Sequence, residues 1–303
     1  MNSRVLIGCN LEYSLKNIHR FLQKSWPEKK ISSAQLFKRG WKKIFRRIPV
    51  PVHLPYGGWW LAIDDIISIE ISARKFEMAE WQFVSRFLKE GMNVLDIGAH
   101  HGFYTILASK KVRPSGYVIA FEPSPRERRW LSLNLNINHC TNVKVEPFAL
   151  TSRNGKEQLF QGGGKFTGFN SLRPPAIFEP TKTIVVQTMT LDKYIEKEYS
   201  GNLNFVKIDA EGAELEILKG ARKLLNRNSS PVIMIEISDV RTAAWGYSSS
   251  NICDYLSQQG YHWFSISSKG FLVPVREKVS LYNFVAVHDR SLTAVQDLIG
   301  PME

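Results

Sequence analysis

The chain has few cysteines and no long apolar run, and each shortage removes a class of protein. The three cysteines, Cys9, Cys140 and Cys253, are scattered and form no CxxC pair. This argues against a disulfide scaffold or a zinc site and fits a reducing compartment. No apolar stretch approaches the ~18 residues that a membrane-spanning helix needs. Val5–Cys9 is too short for a signal-peptide core, so we expect a cytoplasmic protein.

The G-x-G-x-x-G signature of a dinucleotide-binding turn is also missing, although a related turn is present. The run VLDIGAHHG ends a short apolar strand at Gly98, and a helical pattern begins after Gly102. A second strand, Tyr117–Phe121, is followed by Glu122, whose carboxylate can accept hydrogen bonds from both hydroxyls of a ribose. Without the middle glycine that seats a pyrophosphate, the turn suits a nucleoside cofactor that carries no phosphate, namely S-adenosylmethionine. The carboxylate of that cofactor can lie against the helix N-terminus.

Acidic residues are scarce at the N-terminus, where residues 1–50 carry +10 of the total net charge of +12. Phe37, Trp41, Ile44, Phe45 and Ile48 recur at helical spacing between rows of Lys and Arg, which predicts a basic amphipathic helical extension over residues 1–55. Three interpretations stay open. The extension is a cap that packs on the rest of the chain, an interfacial helix on an anionic membrane at its inner face, or a docking surface for nucleic acid or another polyanion.

From residue 56 to 303 the hydrophobic pattern alternates between strands and helices. A hairpin or lid strand is predicted over Trp59–Ile71 and a helix over Phe76–Leu88. The core strands are predicted at Val94–Ile97, Tyr117–Phe121, Val143–Phe148, Phe205–Ile208, Val232–Ile237, His262–Ser267 and Leu281–Val287. Helices between them indicate an α/β fold with a doubly wound, mostly parallel sheet of seven strands. The final pair lacks a connecting helix, so the last strand is expected to be antiparallel, and residues 151–190 are predicted to form a hairpin with a flexible loop.

A dense acidic segment follows the predicted strand Phe205–Ile208. Asp209, Glu211 and Glu214 lie within six residues at the start of a helical pattern. Because ligands of doubly wound sheets bind beyond the carboxyl ends of the strands, we expect Asp209 and Glu211 to face the site opened by Gly98. For Glu214 we prefer a favourable interaction with the helix dipole.

Several of these segments resemble the FkbM-type S-adenosylmethionine-dependent methyltransferases. The similarity runs from about Phe76 to Ile237 and includes VLDIGAHHGFYT, FEPSP, FVKIDAEGAELEILKGA and PVIMIEIS, of which KIDAEGAE is the most specific to the family. The resemblance implies a class I Rossmann-like methyltransferase fold, an S-adenosylmethionine cofactor, and O-methylation of a hydroxyl on a sugar, glycan or secondary metabolite. The cofactor-binding residues expected on this basis are Glu77, Asp96, Gly98, Ala99, His100, Gly102, Tyr104, Thr105, Glu122, Pro123, Ala149 and Asp209. The family commonly has Asn where this chain has His100, which puts the contact to the methionine part of the cofactor in doubt.

Methyl transfer to a hydroxyl requires an aligned acceptor and a group that takes its proton. Asp209 and Glu211 are the first candidates for that catalytic group. His100 or His101 is the alternative, since an imidazole titrates near neutrality. Glu236, at the end of the fifth strand, is expected beside Asp209. This pair is similar to the carboxylates of metal-dependent catechol O-methyltransferases and would bind Mg²⁺ at the acceptor oxygen.

Two other functions fit parts of the sequence. A nucleic-acid methyltransferase would explain the basic extension. However, the fourth strand ends in Asp-Ala-Glu-Gly rather than the proline-rich aromatic tetrapeptide of base-amino methyltransferases, and no lysine follows the fifth strand, where Arg241 is the nearest base. A non-catalytic binding protein on the same fold would not need Asp96, Glu122, Asp209 and Glu211 together.

Overall fold

A computed structural model describes residues 48–175, 180–199, 201–227, 230–275 and 281–300. Most of the predicted basic helical extension therefore lies outside the described residues. The elements in chain order are β1 (Val50–His53), β2 (Trp59–Ala62), α1 (Ile66–Ser72), α2 (Met78–Phe87), β3 (Asn93–Ile97), α3 (Phe103–Val112), β4 (Tyr117–Phe121), α4 (Pro125–Ile137), β5 (Val143–Glu146), β6 (Ala149–Leu150), β7 (Gly155–Gln161), β8 (Lys182–Met189), α5 (Leu191–Glu198), β9 (Phe205–Ile208), α6 (Glu214–Lys219), α7 (Arg222–Leu225), β10 (Val232–Ser238), α8 (Asp239–Thr242), α9 (Ser249–Ser257), β11 (Tyr261–Ile266), β12 (Leu272–Pro274) and β13 (Leu281–His288).

The segment before the main sheet forms an antiparallel hairpin and then a helix. β1 pairs with β2, and the strand ends at Ala62. The buried Asp65 then caps α1, because its carboxylate accepts a hydrogen bond from the backbone N–H of Ser68 at 2.6 Å. The prediction of one hairpin or lid strand over Trp59–Ile71 is thus wrong for its second half.

The central sheet has the strand order β12-β11-β13-β10-β9-β3-β4-β5. Neighbours from β10 to β5 are parallel, and β13 is antiparallel to both β10 and β11. The predicted doubly wound sheet and its antiparallel last strand are confirmed. The structure adds an eighth strand, the short β12 at the edge, to the seven predicted. The chain turns to opposite sides of the sheet after β3 and after β9, which makes their boundary a topological switch point.

The sheet is covered by helices on both faces, which is why β9 is buried at all four of its positions. One apolar core joins α2, α3 and the β1–β2 hairpin to the sheet, and the other joins α5, α6, α7 and α9 to it. After β9 the chain forms two short helices, α6 and α7, that are separated at Gly220. Among the described residues, no helix has the length and apolar character needed to cross a membrane.

The insertion at residues 151–190 forms a second, three-stranded sheet. β7 and β8 are its antiparallel hairpin, as predicted, and β6 pairs with β8. The connection between β7 and β8 turns back toward the main domain, where the Ile66 N–H donates to the Lys165 carbonyl at 3.1 Å. This contact brings part of the insertion over the carboxyl ends of the central strands.

Candidate active site

A cleft of about 290 Å³ opens beyond the carboxyl ends of β3, β4, β9 and β10. Its volume is at the lower end of the range of small-molecule and cofactor sites, ~300–1,000 Å³. The predicted site residues on its wall are Glu77, Gly98, His100, Glu122, Pro123, Ala149, Asp209, Glu211 and Glu236. The remaining wall comes largely from α1 and the insertion, including Ile67, Phe169 and Asn170. The cleft lies at the switch point of the sheet, where a ligand is expected in this architecture.

The two glycines of the first turn are required by packing within the protein. Gly98 has φ +80°, and a Cβ there would lie 1.8 Å from the backbone oxygen of Asp209. Gly102 has φ +95°, and its Cβ would lie 2.5 Å from a methyl group of Leu131. Glycines in such a turn are usually expected to make room for a ligand. The structure instead shows that β3 and β9 end so close together that a side chain at Gly98 would separate them.

Glu122 is held rigidly at the end of β4. One carboxylate oxygen accepts the His100 N–H at 2.9 Å, and the other accepts the Ser124 N–H at 2.8 Å. The residue is only 4 % exposed, more buried than expected for a residue at a strand end. Burial raises the pKa of Glu122 to about 8, although the two backbone donors act in the opposite direction.

Five predicted cofactor-binding residues lie behind the wall of the cleft and support it: Asp96, Ala99, Gly102, Tyr104 and Thr105. The Tyr104 hydroxyl donates to Glu77 at 2.5 Å, and the Thr105 hydroxyl donates to Asp96 at the same distance. Burial raises the pKa of Glu77 to about 7. The Ala99 N–H donates to the Phe121 carbonyl. These five residues are not among the residues that line the cleft.

A buried lysine forms an ion pair with Asp209 and fixes the position of its carboxylate. Lys207 lies in β9, is 4 % exposed, and donates to the Asp209 carboxylate at 2.9 Å. Its ammonium also lies 5.0 Å from the centre of the Tyr104 ring. Burial raises the pKa of Asp209, but Lys207 and Arg241 lower it more strongly, so that the net shift is downward. Asp209 is therefore ionised at neutral pH.

The side chains of Asp209, Glu211 and Glu236 form an acidic cluster whose oxygens lie within 4.8 Å of one another. Arg241, which follows β10, donates to Glu211 at 2.8 Å and also to Glu236. Burial raises the pKa of Glu211 to about 8, with Arg241 acting against the rise and Asp209 adding to it. Neighbouring carboxylates of this cluster thus differ in protonation at neutral pH.

The loop between β9 and α6 is shaped by Glu214. Its carboxylate accepts the backbone N–H groups of Ala210 at 3.0 Å and Gly212 at 3.1 Å, and the residue is 2 % exposed. Tyr247 donates to the Gly212 carbonyl, and Ser171 donates to the Glu211 carbonyl at 2.7 Å. The loop is therefore held from three sides, and Glu214 satisfies backbone donors rather than contacting a ligand.

The residues of the acidic cluster do not fit the predicted Mg²⁺ ion. Carboxylate oxygens are suitable ligands, but the cations of Arg241 and Lys207 already contact all three groups. An ion bridging Asp209 and Glu236 would have to displace Arg241 from Glu236, or be bound beside a guanidinium that repels it.

The two histidines differ in their surroundings. His100 lines the cleft, with φ +50°, and its Nε2 lies 3.2 Å from the Thr167 hydroxyl. Burial lowers the pKa of His100 to about 3, so its imidazole is neutral at neutral pH and a poor base. His101 is 1 % exposed, and neither of its ring nitrogens has a hydrogen-bond partner in the structure. The geometry favours the acidic cluster over the histidines as the group that takes a proton.

Sequence reasoning missed four side chains that shape the site: Asp65, Thr167, Lys207 and Arg241. Only Lys207 carried a signal, since a lysine in the apolar strand FVKI must find a buried partner. Thr167 and Asp65 are in contact although they lie 102 residues apart in the sequence. Hydrophobic periodicity does not predict contacts between residues so far apart.

The sheet order, the switch-point cleft and the carboxylate after β4 define an α/β protein of the nucleoside-cofactor-binding class. Residues 96–263 match the sequence model of the methyltransferase FkbM domain. Because the match covers more than half of the chain, the protein belongs to the FkbM methyltransferase family. Residues 42–148 also match the model of protein-L-isoaspartate(D-aspartate) O-methyltransferase.

Individual relatives are distant. The ribosomal RNA large subunit methyltransferase E of Buchnera aphidicola is 26 % identical over 121 residues, which cover 36 % of this chain and 54 % of the relative. The crystal structure of methyltransferase FkbM from Methylobacillus flagellatus is similar with a TM-score of 0.43 and 16 % identity, covering 73 % of this chain and 52 % of that protein. An O-methyltransferase from Bacillus cereus, in complex with SAH, has a TM-score of 0.38 and 16 % identity, with coverages of 68 % and 77 %. The chain spans about half the length of the first two relatives.

Proposed function

We propose that this protein is an S-adenosylmethionine-dependent O-methyltransferase that acts on a hydroxyl of a sugar, glycan or secondary metabolite. The observation that carries the proposal is that Glu122, a carboxylate suited to a ribose, shares one cleft with the acidic cluster Asp209, Glu211 and Glu236. One carboxylate serves to bind a nucleoside and the others serve to accept a proton.

The residues around Glu122 fit the nucleoside part of such a cofactor. When Glu122 is ionised, each of its oxygens uses one lone pair on a backbone N–H and keeps a second for a ribose hydroxyl. Apolar side chains that suit a planar base line the same wall: Phe121, Phe148, Ala149 and Leu159. The backbone of Gly98 lies on the same wall.

S-adenosylmethionine, when bound, supplies a methyl group activated by the sulfonium. The contribution of the chain is to orient the acceptor hydroxyl and to hold or move its proton. Asp209, ionised and held by Lys207, accepts the hydrogen bond of the hydroxyl. Glu211, whose pKa of about 8 lies near the working pH, takes the proton when it is ionised. Phe169 and Ile67 on the wall exclude water from the acceptor.

Binding and transfer can be tested separately. Calorimetry should detect S-adenosylmethionine and its demethylated product binding to the purified full-length protein. Methyl transfer from labelled cofactor should then be measured with glycans, small polyols and RNA as acceptors. The proposal expects label in a glycan or polyol, and label in RNA alone would overturn the choice of acceptor.

RNA is the second candidate acceptor because the Buchnera relative is named a ribosomal RNA methyltransferase. The charges on the wall of the cleft argue against RNA as the acceptor. Glu70, Glu211 and Glu236 line the cleft together with Arg241, and Arg241 is already paired with two of the three carboxylates. A phosphate backbone would meet net negative charge here.

Because Arg241 and Lys207 already pair with the carboxylates of the acidic cluster, we predict that activity does not require a divalent ion. EDTA should leave the rate of methyl transfer unchanged, and added Mg²⁺ should not raise it. Loss of activity in EDTA that Mg²⁺ restores would show instead that the carboxylates bind a metal.

A further inference from the structure

Three polar side chains form a continuous hydrogen-bonded chain that begins at His100 on the wall of the cleft. His100 Nε2 lies 3.2 Å from Thr167 Oγ1, and the Thr167 hydroxyl donates to Asp65 Oδ2 at 2.8 Å. His100 follows β3, Thr167 belongs to the insertion, and Asp65 caps α1. Three separate parts of the chain therefore meet at one imidazole.

The direction of each hydrogen bond follows from the available protons. The single hydroxyl proton of Thr167 is used on Asp65, so the Thr167 oxygen can only accept from His100. Nε2 of His100 must then carry the ring proton. Because burial keeps the His100 ring neutral, the other nitrogen, Nδ1, has a lone pair and no proton.

The accepting nitrogen is the ring nitrogen of His100 for which the described residues supply no partner. His100 lines the cleft, and Nδ1 makes no hydrogen bond with the residues that the structure describes. The His100 backbone N–H binds Glu122, so the residue is joined through its backbone to the carboxylate assigned to the ribose.

His101 fixes the plane of the His100 ring from behind. The two rings stack with centroids 3.6 Å apart and planes 18° apart, and the His101 ring is itself packed near Trp60 and Trp130. Asp65, His100 and His101 have the ligand types of a zinc site. Their geometry argues against one, since imidazole lone pairs lie in the ring planes and those of two stacked rings do not converge on one ion.

We propose that Thr167 and Asp65 are positioning residues that hold His100 in the Nε2–H tautomer, so that Nδ1 accepts a hydrogen bond from the ammonium group of the cofactor. The identity of the ligand rests on the proposed function, but the tautomer does not. The arrangement also makes binding at the turn after β3 depend on the insertion, because Thr167 is supplied from there.

The tautomer can be read directly by nuclear magnetic resonance. Long-range ¹H–¹⁵N spectra of full-length protein with ¹⁵N-labelled histidine distinguish a protonated from an unprotonated ring nitrogen, and a His100→Gln variant assigns the signal. The wild-type protein should show a protonated Nε2 and an unprotonated Nδ1. A protonated Nδ1 in the wild-type protein would overturn the proposal, whether or not any variant folds.

Two Thr167 variants test the chain of hydrogen bonds. Thr167→Val removes the hydroxyl at nearly constant volume, whereas Thr167→Ser retains it. We expect mixed tautomers and about three- to tenfold weaker binding of S-adenosylmethionine in the Val variant, with the Ser variant close to wild type. Unchanged tautomer and affinity in the Val variant would remove Thr167 from the mechanism. Failure of the wild-type protein to bind the cofactor would overturn the ligand and the proposed function, while the spectra would still decide the tautomer.

Discussion

At the scale of single residues, the environment of each carboxylate decides what it can do. Burial raises the pKa of Glu122 and of Glu211 to about 8. Lys207 and Arg241 lower that of Asp209 despite its burial. Carboxylates whose environments push their pKa values apart can take different roles at one pH. In the proposed mechanism Asp209 is then the permanent acceptor of a hydrogen bond, and Glu211 is the group that exchanges a proton.

This division predicts the pH dependence of the reaction. Glu211 accepts a proton only when it is ionised, and its folded-state pKa lies near 8. The turnover number should therefore rise about tenfold per pH unit below that pKa and level off above it. A pH–rate profile of the wild type checks this. Glu211→Gln, which keeps the shape and removes the charge, should lower the turnover number more than the cofactor affinity and abolish the rise.

Asp209→Asn supplies the matched comparison. Because the pKa of Asp209 is already low, this variant should also reduce turnover but keep the rise with pH. Full turnover in both variants would place the chemistry outside the acidic cluster.

Glu122 should control cofactor affinity. Removing its side chain leaves two buried backbone N–H groups without acceptors, at about 1–3 kcal/mol each, so Glu122→Ala would confuse binding with stability. Glu122→Gln keeps the volume and one acceptor oxygen, so that only one of the two backbone N–H groups loses its acceptor, and we expect its affinity for S-adenosylmethionine to fall about ten- to a hundredfold by calorimetry.

The control for that variant is Glu146→Gln. Glu146 ends the neighbouring strand β5, is 7 % exposed and accepts from Tyr194 at 2.9 Å, outside the cleft. Its variant should bind the cofactor as the wild type does. Equal affinities for all three proteins would remove Glu122 from the cofactor site.

At the scale of elements, the sequence predicted the parts whose pattern is local. The strands Tyr117–Phe121 and Phe205–Ile208 were predicted with the bounds that the structure has, because buried parallel strands are continuous apolar runs. The helix α1 was missed because the alternating pattern that begins at Trp59 was extended beyond Asp65. In the structure Asp65 caps a helix at that point. The edge strand β12 was also missed, since three residues carry too little pattern. Contacts between distant elements, such as Arg241 with Glu211, have no local signal.

Arg241 joins the ends of two neighbouring elements, β9 and β10, through Glu211 and Glu236. Its cation lowers the pKa of Glu211, so Arg241→Met should raise that pKa further. The pH–rate profile should then shift to higher pH, with a loss of about tenfold or more at pH 7. Arg241→Lys keeps the positive charge but loses the planar guanidinium group. Its pH–rate profile should lie between those of the wild type and Arg241→Met.

A matched control is Arg173→Met. Arg173 pairs with Glu157 at 3.0 Å within the insertion and does not line the cleft. The Arg173→Met variant should have the same pH–rate profile as the wild type. A profile that Arg241→Met does not shift would show that Arg241 has no influence on the group that titrates.

At the scale of the whole molecule, charge is divided along the chain. Residues 1–50 carry +10 of the net +12, while carboxylates crowd the cleft of the described domain. A basic segment beside a nearly neutral domain suits a site of attachment rather than a part of the catalytic machinery. Attachment to an anionic surface would act through charge and would weaken as salt screens it.

Deleting residues 1–48 tests whether the basic segment is separate from the catalytic machinery. The deletion ends at residue 48 because β1 begins at Val50. Among the residues that the structure describes, none on the wall of the cleft precedes Ile66, so the truncated protein should bind S-adenosylmethionine with unchanged affinity. Sedimentation with anionic liposomes should be lost, and in the full-length protein it should weaken between low and high salt.

The structural-cap interpretation makes the opposite prediction for the same truncation. If Phe37, Trp41 and Phe45 cover an apolar surface of the domain, their removal exposes it, and the truncated protein should aggregate or melt at a lower temperature. Liposome binding tests the attraction of the basic segment to an anionic membrane, and the melting temperature tests its packing on the domain. The two measurements therefore distinguish the membrane interpretation from the structural-cap interpretation. RNA in place of liposomes tests the polyanion interpretation. Unchanged solubility and melting in the truncated protein, with no binding to liposomes or RNA in the full-length form, would contradict all three.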